Sequence, residues 1–335
     1  MSQLNLKSAH EHWLHFLLAR LGQNSKQIIF TDTSDIRVLQ ACAFLLRSSS
    51  VKPILIANRS VLIDQARSLS INLEGAEFYS PIESAYANEW SDYISSSPKL
   101  KVQKNALLEN PLAFGSFLLK KGLGHGLVAG ASVSTGEVIK CLLSIVGLKP
   151  RSSWATSSFV MIHPSMDFAS KGLAVFADCG VIPEPTEDQL FEITLRAQSL
   201  MKDLFYENPR IALLSFSTSG SSTHPAAEKM RFLKYRLKAH DPLMEVEGEI
   251  QFDAAVDGHI REQKGLSKSM MENANIFIFP NLDAGNIGYK IMQRTSQSLA
   301  LGPLLHGFPM PISDLSRGCS VEDIVLTSLV VACQD

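Results

Sequence analysis

The chain has 335 residues, of which 45% are hydrophobic and 19% charged, a globular composition that excludes a mainly disordered protein. Its 31 Lys and Arg residues against 33 Asp and Glu residues give a net charge of −2, so no basic surface for nucleic acid is expected. The five widely spaced cysteines include no CxxC pair and predict no metal site, and no apolar run is long enough for a membrane helix. We therefore expect a cytoplasmic protein without a membrane partner.

Strand and helix patterns alternate along the first part of the chain. An apolar helical face near the N-terminus precedes a buried strand at 27–30, a helix at 38–46 and a strand at 53–57. A strand at 126–131 then leads to Ser134, Thr135, Gly136 and Glu137, a capping-box pattern that predicts a helix to about Ile145. The Gly-Leu-Lys-Pro segment after it predicts a domain boundary near residue 150.

A second series of strands and helices follows this boundary. Its alternation predicts a mostly parallel α/β sheet. The strands are predicted at 158–163, 173–177, 211–216 and 276–280, and the helices at 188–206, 225–239, 288–299 and from Ser320 onward.

Small polar residues are concentrated at three places between a predicted strand and a predicted helix, 132–136, 217–224 and 281–288. In open α/β sheets ligands bind at the carboxyl ends of strands, where helix N-termini present free amides. Any one such segment is most simply an ordinary capped loop, but three together favour a phosphate-bearing ligand. No GxxxxGK[ST] or GxGxxG motif occurs, which excludes the common mononucleotide and dinucleotide loops.

The segment 314–324 combines a hydroxyl, a guanidinium and a carboxylate before a predicted helix. The Ser320 to Asp323 spacing predicts a capping box, with Asp323 as a structural carboxylate at a positive helix end. The same group of residues could also bind an oxyanion and accept a proton. From spacing alone the capping interpretation is favoured.

Several segments resemble the phosphate acetyltransferase (phosphotransacetylase) family. Residues 313–324 match its N-D-L-S-R-G-C-S-x-E-D-I-V segment, and 248–255 match G-E-L-Q-F-D-A-A. Residues 273–290 follow its A-N-V-F-I-F-P-D-L-N-A-G-N-I-G-Y-K. The resemblance spans nearly the whole chain and is most specific over the last third.

The resemblance implies two α/β domains around a cleft, with the architecture of isocitrate and isopropylmalate dehydrogenases. The first domain would comprise 1–150 plus 302–335 and the second 151–301. It also implies a homodimer that interconverts acetyl-CoA plus phosphate with acetyl phosphate plus CoA. CoA and acetyl-CoA would be substrates, and no tightly bound cofactor is expected.

The resemblance also implies roles for individual residues. Asp323 would accept the proton of the CoA thiol, Arg317 would hold the acyl oxygen and phosphate, and Ser316 would bind the sulfur or the intermediate. Cys319 would serve the substrate site structurally, without acting as a nucleophile. The remaining substrate-binding residues would be Ser134, Thr135, Lys140, Ser217, Thr218, Asn286, Tyr289 and Lys290.

Some positions depart from the family pattern. Val133 and Lys140 stand where the family has a histidine and an arginine, and no arginine occurs between Arg67 and Arg151. Lys retains the charge but lacks the forked geometry of Arg. Two alternatives therefore remain, namely an enzyme for a longer acyl group such as butyryl, and a non-catalytic ligand-binding homologue.

Overall fold

The structure of the protein, a computed structural model, describes residues 8–150, 152–266 and 272–334. These residues form two compact units. Unit 1 comprises Trp13–Ala155 and the segment from Gly307 onward, and unit 2 comprises Thr156–His306 with the short stretch before Trp13. The assignment of two functional domains with limits at 150 and 301 stays a prediction.

Eleven strands are present in the described residues. In chain order they are β1 Lys26–Phe30, β2 Val51–Ile56, β3 Glu77–Tyr79, β4 Gly126–Ala129, β5 Thr156–Ile162, β6 Leu173–Ala177, β7 Arg210–Leu214, β8 Glu245–Ile250, β9 Ile276–Ile278, β10 Leu299–His306 and β11 Ile312–Asp314.

Fourteen α-helices lie between these strands in the same part of the chain. They are α1 Ser8–Leu21, α2 Ile36–Ser48, α3 Arg59–Ser68, α4 Ala87–Ser96, α5 Pro98–Lys101, α6 Lys104–Leu108, α7 Pro111–Lys120, α8 Thr135–Ile145, α9 Glu187–Ser199, α10 Pro225–His240, α11 Phe252–Val256, α12 Gly258–Gln263, α13 Leu282–Ser296 and α14 Val321–Cys333. A single π-helical turn, Leu200–Leu204, continues α9.

The strands of unit 1 are all parallel, in the order β3-β2-β1-β4-β11. Most residues of β1, β2 and β4 are apolar and buried, as expected for a sheet covered by helices on both faces. The C-terminal segment completes this sheet, because β11 pairs with β4 and α14 packs against α2. Parallel pairing brings the carboxyl ends of β1, β4 and β11 to one edge.

The strands of unit 2 run in the order β10-β5-β6-β9-β7-β8. The pairs from β6 to β8 are parallel, whereas β5 pairs antiparallel with both β10 and β6. An aromatic core that includes Phe159, Phe176 and Phe277 fills one side of this sheet. The predicted α/β class is confirmed, and among the strand pairs described here only those of β5 are antiparallel.

Most predicted elements are present within a few residues of their predicted limits, but the predicted start of α13 is wrong. The sequence predicted a loop over 281–288, whereas the helix begins at Leu282. Asn281 is its N-cap and accepts a hydrogen bond from the Ala284 amide at 3.0 Å. Position 285 of this helix requires glycine, because a Cβ there would lie 2.4 Å from the Asp178 carbonyl oxygen. Its glycine therefore permits close packing and does not mark a loop.

No helix in the described ranges has both the length and the apolar character needed to cross a membrane.

Candidate active site

Three segments meet at the carboxyl edge of the unit 1 sheet. They follow β1, β4 and β11, and we call residues 31–37, 130–137 and 314–323 the unit 1 loop cluster. Parallel pairing of β4 with both neighbours brings them together. Carboxyl ends of parallel strands are the usual place for ligands in α/β proteins.

Arg37 joins the three segments of this cluster. Its guanidinium donates to the carbonyl oxygens of Arg317 at 3.0 Å, Cys319 at 2.7 Å and Ala131 at 3.2 Å. It also forms an ion pair of 2.6 Å with Asp35, the N-cap residue of α2. Hydrogen bonds from Arg37 hold the pKa of Asp35 below its usual value. Arg37 therefore fixes the backbone on either side of Gly318.

Asp32 holds the segment after β4. Its carboxylate accepts the amides of Gly130 and Ser132, each at 2.9 Å, and the Ser132 hydroxyl donates to it as well. The carboxylate is buried, so these hydrogen bonds replace the water it loses. The polar loop after β4 is thus rigidly attached to the end of β1.

The segment after β11 presents Arg317 at its apex. Ser316 shapes the turn, since its hydroxyl accepts the Gly318 amide at 3.3 Å and its carbonyl accepts the Cys319 amide at 2.9 Å. Arg317 is exposed, whereas Cys319 is buried. Burial raises the pKa of the Cys319 thiol to about 12, against a smaller opposing effect of the Arg37 charge. The thiol is therefore protonated at neutral pH and unsuited to nucleophilic attack.

Asp323 closes the capping box that the sequence predicted. Its Oδ2 accepts the Ser320 amide at 2.9 Å, and its own amide donates to the Ser320 hydroxyl at 3.1 Å. The Asp323 residue is only 3% exposed. A carboxylate at this helix N-terminus lies at the positive end of the α14 dipole.

The predicted residues Ser134 and Thr135 lie in the 130–137 segment of this cluster, and Lys140 follows them on α8. Ser134 is the N-cap, and its hydroxyl and amide both donate to Glu137, at 2.6 and 2.9 Å. These bonds hold the pKa of Glu137 below its usual value. Thr135 begins the helix and is half-buried, whereas Lys140 is exposed farther along it. The capping box at Ser134 was predicted from the sequence and is confirmed.

Asp314 is the buried carboxyl group of the cluster. It is the last residue of β11 and is 0% exposed, and among the described residues neither of its oxygens forms a hydrogen bond of ordinary geometry. Burial raises its pKa to about 7. The nearby Thr135 hydroxyl and the charge of Arg317 lower this pKa, and the charge of Asp32 raises it, but burial dominates.

A second polar cluster lies at the carboxyl edge of the unit 2 sheet, and it is organised around Glu249. We call residues 215–222, 231 and 249–251 the unit 2 loop cluster. Glu249 is 0% exposed and accepts hydrogen bonds from Arg231 at 2.9 and 3.0 Å. It also accepts the Ser217 hydroxyl and the Gly220 amide, each at 2.9 Å.

These contacts decide the charge of Glu249. Burial alone would raise its pKa, but the hydrogen bonds from Arg231, Gly220 and Ser217 outweigh that effect and bring the pKa to about 2. Glu249 is therefore an anion throughout the neutral range. It holds the Ser-rich loop in place.

The predicted unit 2 residues differ in what their side chains can reach. The Ser217 hydroxyl is engaged by Glu249, and the Thr218 hydroxyl donates to Gln251 at 3.2 Å. Asn286 lies in α13 and donates to the Cys179 carbonyl at 3.1 Å. Ser217 and Thr218 are both buried, and their hydroxyls are engaged within the unit 2 loop cluster.

Tyr289 and Lys290 have opposite environments on α13. The Tyr289 ring is buried in the core and stacks on Phe159 with centroids 4.0 Å apart. Lys290 is exposed, with its ammonium 4.9 Å from the centre of the Tyr289 ring. Of the two, Lys290 has the more accessible side chain for an anionic ligand.

Sequence reasoning did not assign a role to Arg37, Glu249 or Asp314. Arg37 and Glu249 act through partners far away in the chain, which no local pattern reveals. Asp314 and Glu249 do lie inside two of the segments that carry the family resemblance. Within the described ranges no group of three His, Cys, Asp or Glu side chains is arranged to hold a metal ion.

The sequence of this chain matches a family of known proteins. The family model described as phosphate acetyl/butaryl transferase matches residues 14–332, and this chain belongs to that acyltransferase family. The phosphate acetyltransferase of Acetivibrio thermocellus is 33% identical over 329 residues, covering 96% of this chain and 98% of its own.

Two solved structures are also similar to the chain. A phosphotransacetylase from Streptococcus pyogenes has a TM-score of 0.84 at 31% identity and covers 96% of this chain and 98% of its own. The EutD phosphotransacetylase from Staphylococcus aureus has a TM-score of 0.80 at 34% identity and covers 97% of this chain and 98% of its own. The resemblance found in the sequence is therefore confirmed.

Proposed function

We propose that this protein is a phosphate acetyltransferase that interconverts acetyl-CoA plus phosphate and acetyl phosphate plus CoA. The observation that carries this proposal is the geometry of the segment after β11. It presents an exposed Arg317 between Ser316 and the helix N-terminus that holds Asp323. CoA and phosphate act as exchanging substrates, and no tightly bound cofactor is needed.

In the acetyl phosphate to acetyl-CoA direction, the reaction begins with the CoA thiol. A thiol with a pKa of about 8.5 lies roughly 1.5 units above neutral pH, so forming the thiolate costs about 2 kcal/mol. A carboxylate that accepts the proton during attack removes much of this cost. Asp323 is proposed for this role, because its position at the N-terminus of α14 is fixed by the capping box.

Arg317 is proposed to stabilise the oxygen that becomes negative as the thiol adds to the acyl carbon. Its guanidinium can donate two parallel hydrogen bonds to an acyl phosphate. The Arg37 bonds to the carbonyls on either side of Gly318 hold its backbone in place before substrate arrives. Ser316 would donate to the sulfur or the tetrahedral intermediate. The intermediate then expels phosphate, so that no acyl-enzyme forms.

The other predicted residues are proposed as substrate ligands, with roles adjusted to their environments. Ser134, Thr135 and Lys140 belong to α8, where the helix N-terminus favours an anion. Ser217, Thr218, Asn286 and Lys290 belong to unit 2. Tyr289 and Cys319 are buried, and we propose that they support the substrate site through packing.

The proposal includes a homodimer acting in the cytoplasm. Large apolar side chains that are exposed on the single chain support association. Phe232 and Tyr235 share one face of α10, and Ile287 and Ile291 share one face of α13.

The test is phosphate-dependent release of CoA from acetyl-CoA by the purified full-length protein, followed with a thiol reagent. We expect release that requires phosphate and is faster with acetyl-CoA than with butyryl-CoA. The control is Arg317→Ala, which should be folded and nearly inactive. Preference for butyryl-CoA would indicate the longer-chain enzyme, and a folded wild type without phosphate-dependent release would refute acyl transfer.

A further inference from the structure

Arg37 lies in the unit 1 loop cluster, where an arginine could either bind an anionic substrate or hold other residues in place. The N–H donors of its guanidinium distinguish these roles. Nε and Nη2 donate to Asp35 at 3.0 and 2.6 Å, and Nη2 donates also to the Ala131 carbonyl at 3.2 Å. Nη1 donates to the carbonyls of Arg317 and Cys319, at 3.0 and 2.7 Å. Every donor of the guanidinium is therefore paired within the chain, and none remains for a substrate.

The carbonyl oxygens that Arg37 binds belong to two segments that are far apart in the sequence. Ala131 follows β4 and comes shortly before Ser134, the N-cap of α8, whereas Arg317 and Cys319 follow β11. The planar guanidinium holds its donors in fixed directions, so it fits both segments only in one relative placement. Arg37 thereby ties the backbone of Arg317 to the loop that leads into α8.

Asp32 provides the anchor for this arrangement. Its buried carboxylate accepts the amides of Gly130 and Ser132, each at 2.9 Å, and the carbonyl of Ala131 between them is bound by Arg37. The loop after β4 is thus held by an acid and a base from the same segment, 31–37. The segment after β11 has no bond to Asp32 among the described residues, so its link to this anchored loop depends on Arg37.

We propose that Arg37 is a positioning residue, which holds the backbone of Arg317 against the loop before α8 and does not itself bind substrate. The proposal rests on the proposed function only in taking Arg317 as a ligand of the reacting groups. Because Arg317 would stabilise charge that develops in the transition state, a loosened Arg317 costs more in turnover than in substrate affinity. A misplacement of about 1 Å can lower a rate by about 10²-fold.

The first experiment measures kcat and KM for phosphate-dependent CoA release by full-length Arg37→Ala. We expect kcat to fall by about 10²-fold, with little change in the KM for phosphate. Added guanidinium at a non-denaturing concentration should restore part of the turnover, since it can donate to the vacated carbonyls. Methylammonium lacks the planar fork and should not. A raised KM at unchanged kcat, or equal effects of the two ions, would overturn the proposal.

Hydrogen–deuterium exchange followed by mass spectrometry tests the same proposal without substrate. The Cys319 amide donates to the Ser316 carbonyl at 2.9 Å in the turn that Arg37 holds. In Arg37→Ala the amides of 315–320 should exchange faster than in the wild type. Those of 130–132 should change little because Asp32 still holds them, and those of 217–222 in unit 2 should not change. Unchanged exchange at 315–320, or faster exchange throughout the chain, would contradict a local positioning role.

Arg37→Lys is the second variant, because it keeps the charge beside Asp35 and should fold even if Arg37→Ala does not. It lacks the fork, so it should show slowed turnover and faster exchange at 315–320 in milder form. Wild-type values in both measurements would overturn the proposal. The matched control is Arg47→Ala, which removes an exposed arginine from the last turn of α2 and should behave like the wild type.

The two proposals fail in different ways. A wild type that releases no CoA, together with faster exchange at 315–320 in Arg37→Ala, would refute acyl transfer and leave Arg37 as assigned. A wild type that releases CoA, together with a folded Arg37→Ala of equal turnover, would refute the positioning role alone.

Discussion

The two loop clusters both contain a buried carboxyl group and an arginine, but they use them differently. In unit 2, Glu249 accepts two hydrogen bonds from Arg231 and others from the Ser217 hydroxyl and the Gly220 amide. In unit 1, Asp314 has no such partner within the described residues. The pKa is about 2 for Glu249 and about 7 for Asp314.

The difference shows that burial alone does not determine the charge of a carboxyl group. Both groups are fully buried, and burial raises the pKa of each. Hydrogen bonds to the charged form reverse that effect at Glu249, since each donor stabilises the carboxylate and not the acid. A buried carboxylate with several hydrogen-bond donors therefore keeps its charge and serves as a fixed support. A buried carboxyl group without such donors has a pKa in the neutral range.

The largest expected effect is on turnover, and it tests whether Asp323 in unit 1 accepts the thiol proton. Asp323→Asn should lower turnover by roughly 10²- to 10⁴-fold if this carboxylate accepts the thiol proton. Asn retains an oxygen that can accept the Ser320 amide, so the helix cap and the unfolding temperature should change little. Steady-state kinetics and thermal unfolding together make the measurement.

The matched control for Asp323 is Glu322→Gln, which removes the neighbouring carboxylate from the same helical turn. Turnover of this variant should stay close to that of the wild type. If folded Asp323→Asn also retained nearly full turnover, only its capping role would remain. The two clusters would then both be structural supports.

The next largest effect concerns Glu249 and its contribution to the free energy of unfolding. The pKa of Glu249 is about 2 in the folded protein, against about 4.3 for an ordinary glutamate in the unfolded chain. This difference corresponds to about 3 kcal/mol of stability at neutral pH. This contribution is present above about pH 4.3 and is lost as the pH falls toward 2. Glu249→Gln should therefore be less stable than the wild type at pH 7, by about 2–3 kcal/mol, with a smaller difference at pH 3.

Chemical denaturation at pH 7, 4 and 3 would measure this difference. The control is Glu228→Gln, which changes an exposed carboxylate on α10. Equal stability of Glu249→Gln and the wild type at pH 7 would remove the contrast with Asp314, because neither carboxyl group would then act as a support.

The smallest effect is expected for Lys140, an exposed residue of unit 1, and concerns substrate affinity. Lys140 is exposed on α8 at the position where the family has an arginine, and Lys lacks the bidentate geometry of that residue. Lys140→Arg should improve the apparent affinity for phosphate or CoA by up to about tenfold, the value of one charge-assisted hydrogen bond. Substrate-dependence curves for the wild type, Lys140→Arg and Lys140→Ala provide the comparison, with Lys52→Arg on β2 as the control. Three coincident curves for the Lys140 series would show that this side chain points into solvent.

Local features of the fold were predictable from the sequence. The capping boxes at Ser134 and Ser320 depend on residues three positions apart, so their spacing alone identified them. The start of α13 was missed because Gly285 and Gly288 suggest a loop, although close packing against the Asp178 carbonyl is what selects glycine at 285.

Long-range contacts in the candidate site were not predictable in this way. Arg37 reaches carbonyl oxygens of residues 131, 317 and 319, which only the sheet order brings together. The burial of Asp314 depends on Gly130 in another strand-loop segment. Family resemblance identified the segment that contains Arg317, but it did not show which residues hold that segment in place.

The return of the chain to unit 1 has a consequence for synthesis. Unit 2 is formed almost entirely by the continuous stretch Thr156–His306, so its strands are all available before the C-terminus is made. β11, α14 and the Arg317 and Cys319 carbonyl partners of Arg37 follow unit 2 in the chain, so unit 1 lacks them until the strands of unit 2 have been made. A nascent chain that stalls before β11 therefore lacks the proposed catalytic groups Ser316, Arg317 and Asp323, although unit 2 is already complete.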